Sequence, residues 1–269
     1  MLRTLKYLSL HLNNIVYILI PIAVALTILA ILASIILWSD FRELPLALAS
    51  YEVSFAVKLS LITALTSTTA AILLGIPVAY TLSRLEFKGK RIVETILMLP
   101  FAMPPIALGA TLLLFFTNTV LGKIVNSILN VVFEVPGLIV AQFTVIFPMV
   151  IKVLKSSFDM VDERYEAVAR TLGYTRFMTL IKVLLPMCKT GLVSSFILGF
   201  TRALGGFGAS VTLAGATRFK TETLPIAIYL SLSSGDIPLT VALIIILLVV
   251  AFTTLLSLHV VRGGKVRII

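Results

Sequence analysis

The sequence predicts an all-α integral membrane protein with six transmembrane helices. Three observations carry that prediction. Hydrophobic residues make up 59% of the 269 and charged residues only 13%, with a mean hydropathy of +1.11. A water-soluble domain of this size cannot hide so much apolar surface. Ile15–Leu37 and Ile237–Val261 contain no Asp, Glu, Lys or Arg. At about 1.5 Å rise per residue each is long enough to cross a hydrocarbon core of about 30 Å. Lys and Arg also cluster in alternate connections between apolar runs, as the topology of a multi-pass protein requires. The whole chain, 1–269, reads as one transmembrane domain, with spans at about 15–37, 59–83, 92–116, 136–153, 190–216 and 237–261. They are read as helices because a segment in lipid must satisfy its own backbone polar groups.

Arg3 and Lys6 give the first span a basic start, the mark of a secretory signal. Its apolar run is longer than a signal core, however, and no small-x-small cleavage site follows it cleanly. The second span carries Thr63, Thr66, Ser67, Thr68 and Thr69. Their hydroxyls either bond back to the preceding turn or serve helix–helix contact. The third, IVETILMLPFAMPPIALGATLLLFF, holds Pro100, Pro104 and Pro105, each removing a backbone donor, with Gly109 after them. It is either a kinked helix satisfied by its neighbours or a broken one whose irregular backbone lines a route or gate. Gln142 and Pro148 interrupt the fourth span and weaken it.

A polar segment follows, in the loop 156–189: DMVDERYEAVARTLGYTRFMTLIKVLLP, Asp159 to Pro186. Asp159 is placed to cap a helix. Val161, Tyr165, Val168 and Leu172 recur at spacings of four, three and four, which makes one apolar stripe. Glu163, Glu166 and Arg170 lie off that stripe, with Glu166 four residues before Arg170, the favourable order for a helical ion pair. Gly173 supplies a left-handed stop. Such a helix is either a solvated loop element or a segment that docks into a partner's groove.

The fifth span contains TRALGGFGASVTLAGA. Arg202 is a plain cation well inside it, and a charge there must face protein or water. It is either a structural residue bonded to carbonyls or an oxyanion contact or gate, since a guanidinium forks two hydrogen bonds to an oxyanion. Gly205, Gly206 and Gly208, flanking Phe207 and followed by Ala209 and Ser210, permit close helix approach or a hinge.

Sixteen of the 22 Lys and Arg fall at the N-terminus, in Arg84–Arg91, in Lys152–Lys189 and in the tail from Arg262. The alternate connections hold only Arg42, Lys123, Arg218 and Lys220. Both termini and the polar loop are therefore expected in the cytoplasm, with the protein in the cell membrane. The net charge of +10 is topological, and nucleic acid is not an expected partner because no basic face interleaves aromatics. Cys188 is alone, and His11 and His259 stand at opposite ends, so neither a disulfide nor a metal cluster is expected. GKR at Gly89 and GGK at Gly263 lack the spacing of a phosphate loop. No catalytic residue or cofactor is expected in this chain. An ion-coupled secondary transporter would need embedded carboxylates, and the sequence offers only Glu94, near a span end.

AxAxxxG followed by an apolar residue and LP resembles the "EAA" coupling loop of ABC-importer permeases. Ala167, Ala169, Gly173, Val183, Leu185 and Pro186 hold the matching places. Glu166 comes one residue early, so Ala167 stands at the usual Glu position, and Val168 replaces the middle alanine. LPxxxPPxxxG, with the preceding PVAYTLSRLEFKGKR, resembles the third span of permeases for molybdate, tungstate and sulfate. RALGGFGASVTLAG, then TETLPIAIYL, then GD at Gly235, is similar to the last third of molybdate/tungstate permeases. Many relatives have Glu where this chain has Gly206.

The resemblance covers roughly Leu59 to the end. It implies the type I ABC-importer permease architecture and import of molybdate or tungstate, with sulfate or another oxyanion as the alternative cargo. It implies a homodimer of this chain, two cytoplasmic ATPase subunits carrying ATP and Mg, and an external oxyanion-binding protein. In that scheme the helix Met160–Leu172 couples to the ATPase. Tyr165, Val168 and Leu172 pack in the permease or in a groove, and Glu163, Glu166 and Arg170 set register. Pro104, Pro105, Arg202, Gly205, Gly206, Phe207 and Gly208 are the pathway and gate candidates.

Overall fold

A computed structural model describes residues 2–37 and 44–263. The expectations placed on Arg42, Lys265 and Arg267 fall outside these residues. Side chains are described for residues 17–34 and 44–257, so those of Arg3, Lys6, His11, His259 and Arg262 fall outside the described ones. The described residues are helical throughout the bundle, with no strand among them.

Helix α1, Leu2–Leu37, contains the first expected span, and α2, Leu44–Leu48, follows it. Helix α3, Tyr51–Arg84, is 34 residues long, about 50 Å at 1.5 Å per residue. Ser50 caps it by accepting from Val53 N. One face of α3 is a ladder of small buried residues: Ala56, Ser60, Ala64, Ser67, Ala71, Gly75 and Ala79. Their spacing of three and four puts them in line, and their size lets another helix lie against them. That helix is α7, Val135–Asp159. Ile146, Val150, Ile151, Leu154 and Phe158 of α7 are fully buried in the cluster shared with α3. A Cβ on Gly75 would stand 3.3 Å from both Leu154 and Val150 side chains.

The fourth expected span is thus the most securely packed, despite Gln142 and Pro148, and α7 runs through both without a break. Gln142 is satisfied by α3: its Nε2 donates to Thr63 Oγ1 and its Oε1 accepts from Ser67, each at 3.2 Å. Thr63, Thr66 and Ser67 also bond back to the carbonyls of Leu59, Ile62 and Ala64. These hydroxyls serve both roles the sequence left open.

The third and fifth expected spans are each built from two helices, the broken and hinged alternatives that the sequence left open. Residues 92–116 form two helices, α4 (Lys90–Ala102) and α5 (Pro105–Asn118), at 112° to each other. The break has a local cause. A residue before proline is pushed out of the helical region, and both Met103 (ψ 141°) and Pro104 (ψ 135°) precede a proline. Pro105 then opens α5 at a position where its missing N–H costs nothing. Pro100 stays inside α4. After α5 come α6 (Val120–Leu129) and α7.

Beyond α7 lie α8 (Arg164–Thr171), α9 (Arg176–Thr179), a π turn at Leu180–Leu184 and α10 (Leu185–Met187). The fifth expected span, 190–216, is α11 (Lys189–Leu204) and α12 (Gly208–Ala214), interrupted at Gly205–Phe207. The segment Arg176–Met187 meets α11 at 80°. Two more helices, α13 (Leu224–Ser233) and α14 (Ile237–Gly263), complete the described residues. By length and composition, four of these helices can cross a membrane, or six spans if each bent pair counts as one.

Candidate functional site

Two regions of the bundle gather the chemistry-bearing residues. The first is the break between α11 and α12. Gly208 sits so close to α5 that a Cβ would stand 3.0 Å from Ile106 Cγ1 and 3.1 Å from Pro105 Cβ. From the other side, a Cβ on Gly109 would stand 2.8 Å from Ala209 Cα and O. The glycines are therefore both a break in the helix and a close contact. Phe207 packs on Tyr229 of α13, ring centroids 5.3 Å apart.

Arg202 lies one turn before this break, and it is exposed. It makes no hydrogen bond or ion pair among the described residues, so the reading of a guanidinium bonded to carbonyls does not hold. It borders two cavities. One, of about 210 Å³, is lined by Pro105, Gln142, Gly205, Gly206, Phe207, Gly208 and Ser210 among others. The other, about 350 Å³, is lined by Pro100, Met103, Pro105 and Met149. Pro105, Val145 and Arg202 are common to both. Of the expected pathway residues, Pro105, Arg202, Gly205, Gly206, Phe207 and Gly208 come together here. Pro104 is exposed beside them at the break.

The second region is the polar loop. Its helix is shorter than expected and starts later: α8 begins at Arg164, and Met160 closes α7. Asp159 is the last residue of α7, where it accepts from Ser83 and lies 3.4 Å from Lys155. It caps nothing, because the apolar pattern of α7 runs on through Phe158. The start of α8 is served by Asp162, whose Oδ1 accepts from Arg164 N at 2.9 Å. The stop is as expected. Gly173 has φ +90°, Tyr174 N bonds Ala169 O, and Gly173 N bonds Arg170 O, the paired bonds of a Schellman turn.

The two faces of α8 differ. Tyr165, Val168 and Leu172 are exposed, at 55%, 59% and 75%, so three of the four expected stripe residues share an outward face that nothing among the described residues covers. Val161 is half-buried against the α3–α7 core. Ala167 and Arg170 are exposed, and Ala169 is buried. Glu166 does not pair with Arg170. It turns inward, 8% exposed, with Oε1 2.6 Å from Arg84 Nε and Oε2 accepting from Tyr80 OH at 3.1 Å. Glu163 is exposed and stands 3.8 Å from the same arginine. A partner at the end of α3, withdrawn from water, outcompetes an exposed one on the same short helix. Sequence reading counted Arg84 only among the topological charges. The available signal was a cation ending a 34-residue apolar helix two turns beyond Pro77.

Sequence reading also missed a carboxyl pair at the opposite end of α3. Glu222, fully buried in the loop Gly215–Thr223, accepts from Phe219 N at 2.8 Å. Burial, with the Glu52 carboxyl in hydrogen-bonding reach, pushes its pKa up to about 7. Arg218 Nε lies 3.7 Å from Glu52. The one carboxylate weighed from sequence, Glu94, instead sits 3.7 Å from Lys155. No group of three or more metal-ligating side chains occurs among the described residues.

A bundle of broken and unbroken apolar helices, carrying one short polar helix at its end, is the fold of an ABC-transporter permease. A chain of a bacterial alginate ABC transporter, solved with its alginate pentasaccharide-bound periplasmic protein, superposes with TM-score 0.69 at 18% identity, covering 96% of this chain and 93% of that one. Residues 71–264 match the family described as binding-protein-dependent transport system inner membrane component, and this chain belongs to that family. The molybdenum transport system permease protein ModB of Mycobacterium tuberculosis is 34% identical over 75% of this chain and 77% of its own length. The sulfate transport system permease protein CysT of Escherichia coli is 29% identical over 84% and 81%. The chain is thus a membrane transport subunit of the ABC-permease class, whose members work with ATPase and substrate-binding partners.

Proposed function

We propose that this chain is the permease subunit of an ATP-driven importer of molybdate or tungstate, working as a homodimer on two ATPase subunits and fed by an external binding protein. The observation that carries the reading is the outward face of α8. An eight-residue helix is marginal alone in water, yet here it holds three large apolar side chains outward while its inner face is fixed to the bundle. That is the form of a helix presented to a groove on another protein. On this reading α8 and both chain ends face the cytoplasm, consistent with the cation-rich connections around Arg84 and Lys155. ATP and Mg would be held by the partner.

The cargo reading rests on the ModB relative and on Arg202. An unpaired guanidinium within a membrane bundle is costly unless it meets water or protein, so its cavities would open onto a route completed by the second copy. Its fork of donors suits a tetrahedral dianion. Alternating access would follow from movement of α8, provided that the ATPase grips it differently in its two nucleotide states. Sulfate is the second reading, favoured by the match to CysT along most of both chains.

The test is ATP hydrolysis by the purified permease–ATPase complex in nanodiscs, with binding protein loaded with molybdate, tungstate or sulfate. Stimulation by molybdate- and tungstate-loaded protein, and little by sulfate, supports the reading. Stimulation by sulfate alone replaces the cargo, and failure of any ATPase to copurify rejects the class of mechanism.

A further inference from the structure

Arg84 joins three helices through one guanidinium. Its Nε donates to Glu166 Oε1 of α8 at 2.6 Å, and its Nη2 donates to the carbonyls of Phe158 and Val161, both at 2.7 Å. Phe158 is in the last turn of α7 and Val161 stands just past its cap, Met160, at the helix end that carries partial negative charge. Tyr80, one turn earlier on α3, completes the grip through the second oxygen of Glu166. The Arg84 side chain is only 8% exposed and that of Glu166 10%. Beside them Ser83 donates to Asp159. Along the chain, α8 also packs on α9 and the π turn just after it.

The geometry points to Arg84 as the positioning residue of the coupling joint, the contact through which displacement of α8 moves α3 and α7 together. This rests on the reading of α8 as the ATPase-docking helix and names the part that would carry its motion inward. A push on Tyr165, Val168 or Leu172 acts on a helix whose inner side chain, Glu166, is clamped to the end of α3. The same guanidinium holds the end of α7, so the two helices cannot be displaced separately. They are already locked along their length by the small-residue face of α3. Midway along α3, Thr63 and Ser67 hold Gln142 of α7, which borders the Arg202 cavity. A lysine at position 84 would keep the charge but not the planar fork that reaches a carboxylate and two carbonyls at once.

The experiment uses the full complex of permease, ATPase and binding protein in proteoliposomes, measuring oxyanion uptake and ATP hydrolysis in the same vesicles. Arg84→Gln and Glu166→Gln are expected to lower uptake per ATP at least tenfold, and to raise the share of hydrolysis that needs no binding protein. Arg84→Lys should fall between these and the wild type. Tyr80→Phe removes one hydroxyl and should assemble normally, with uptake per ATP reduced two- to threefold. If the variants lose uptake and hydrolysis in equal proportion, Arg84 only supports folding and the inference is wrong. An unchanged ratio in Tyr80→Phe and Glu166→Gln overturns it as well, even if Arg84→Gln fails to assemble. Wild-type protein that retains no ATPase would instead reject the underlying reading of α8.

Discussion

At the scale of single residues, charge and burial decide which side chains act. Arg202 is a guanidinium without a partner among the described residues, on the rim of two cavities. Charge-assisted hydrogen bonds are worth about 1.5–3 kcal/mol. Arg202→Ala is therefore expected to cut uptake by roughly tenfold to a hundredfold while leaving copurification of the ATPase intact. Initial uptake rates in proteoliposomes check this, and wild-type kinetics would remove Arg202 from the route.

Glu222 makes a different prediction. Its pKa in the fold is about 7, above the ordinary carboxylate value, so folding favours its protonated form. The stability it lends the Gly215–Thr223 loop is complete below the ordinary value and is lost as pH rises through about 7. The charged groups facing it are Glu52 and Arg218, with Lys220 turned to Glu134. Amide exchange of residues 217–223 should accelerate between pH 5 and pH 8 beyond its intrinsic pH dependence. Glu222→Gln should remove that excess. An equal excess in the variant would contradict the account.

At the scale of elements, helix ends and helix breaks control the architecture. Gly173 ends α8 in the left-handed region, which costs a side-chain-bearing residue about 1–2 kcal/mol. Gly173→Ile should turn the outward face of α8 away from its groove and lower uptake per ATP, with little loss of expression. Gly109→Ala places a methyl 2.8 Å from the backbone of Ala209. Overpacking of this kind costs about 1–3 kcal/mol, and a lower midpoint in thermal unfolding of the detergent-solubilised protein would register it.

These elements also mark what was legible in the sequence. The apolar runs and the glycine stop are local patterns, and they appear as read; of the stripe, Tyr165, Val168 and Leu172 share an outward face, while Val161 lies before α8 and turns to the core. The third span was left open between a kinked and a broken helix and the fifth between close packing and a hinge, because hydropathy averages over a window and cannot separate a straight helix from two that are bent, in the third span by 112°. The MPP run at 103–105 held the cause, since two successive residues each precede a proline. Glu166 was misassigned because i,i+4 spacing names a neighbour on the same helix, whereas its partner lies 82 residues away. The Glu52–Glu222 pair was invisible for the same reason.

At the scale of the whole molecule, the described residues form a lever with its ends about 50 Å apart, the length of α3. One end carries α8 and the Arg84 joint, and the other carries the loop that buries Glu222. Between them lie the cavities at Arg202. The account requires that work enter at α8 and leave at the cavities. The most direct measurement is accumulation of molybdate in proteoliposomes containing this chain, with and without the ATPase and ATP on the α8 side and loaded binding protein on the other. The account predicts accumulation only with all three present. Accumulation by this chain alone, driven by an ion gradient, would contradict it.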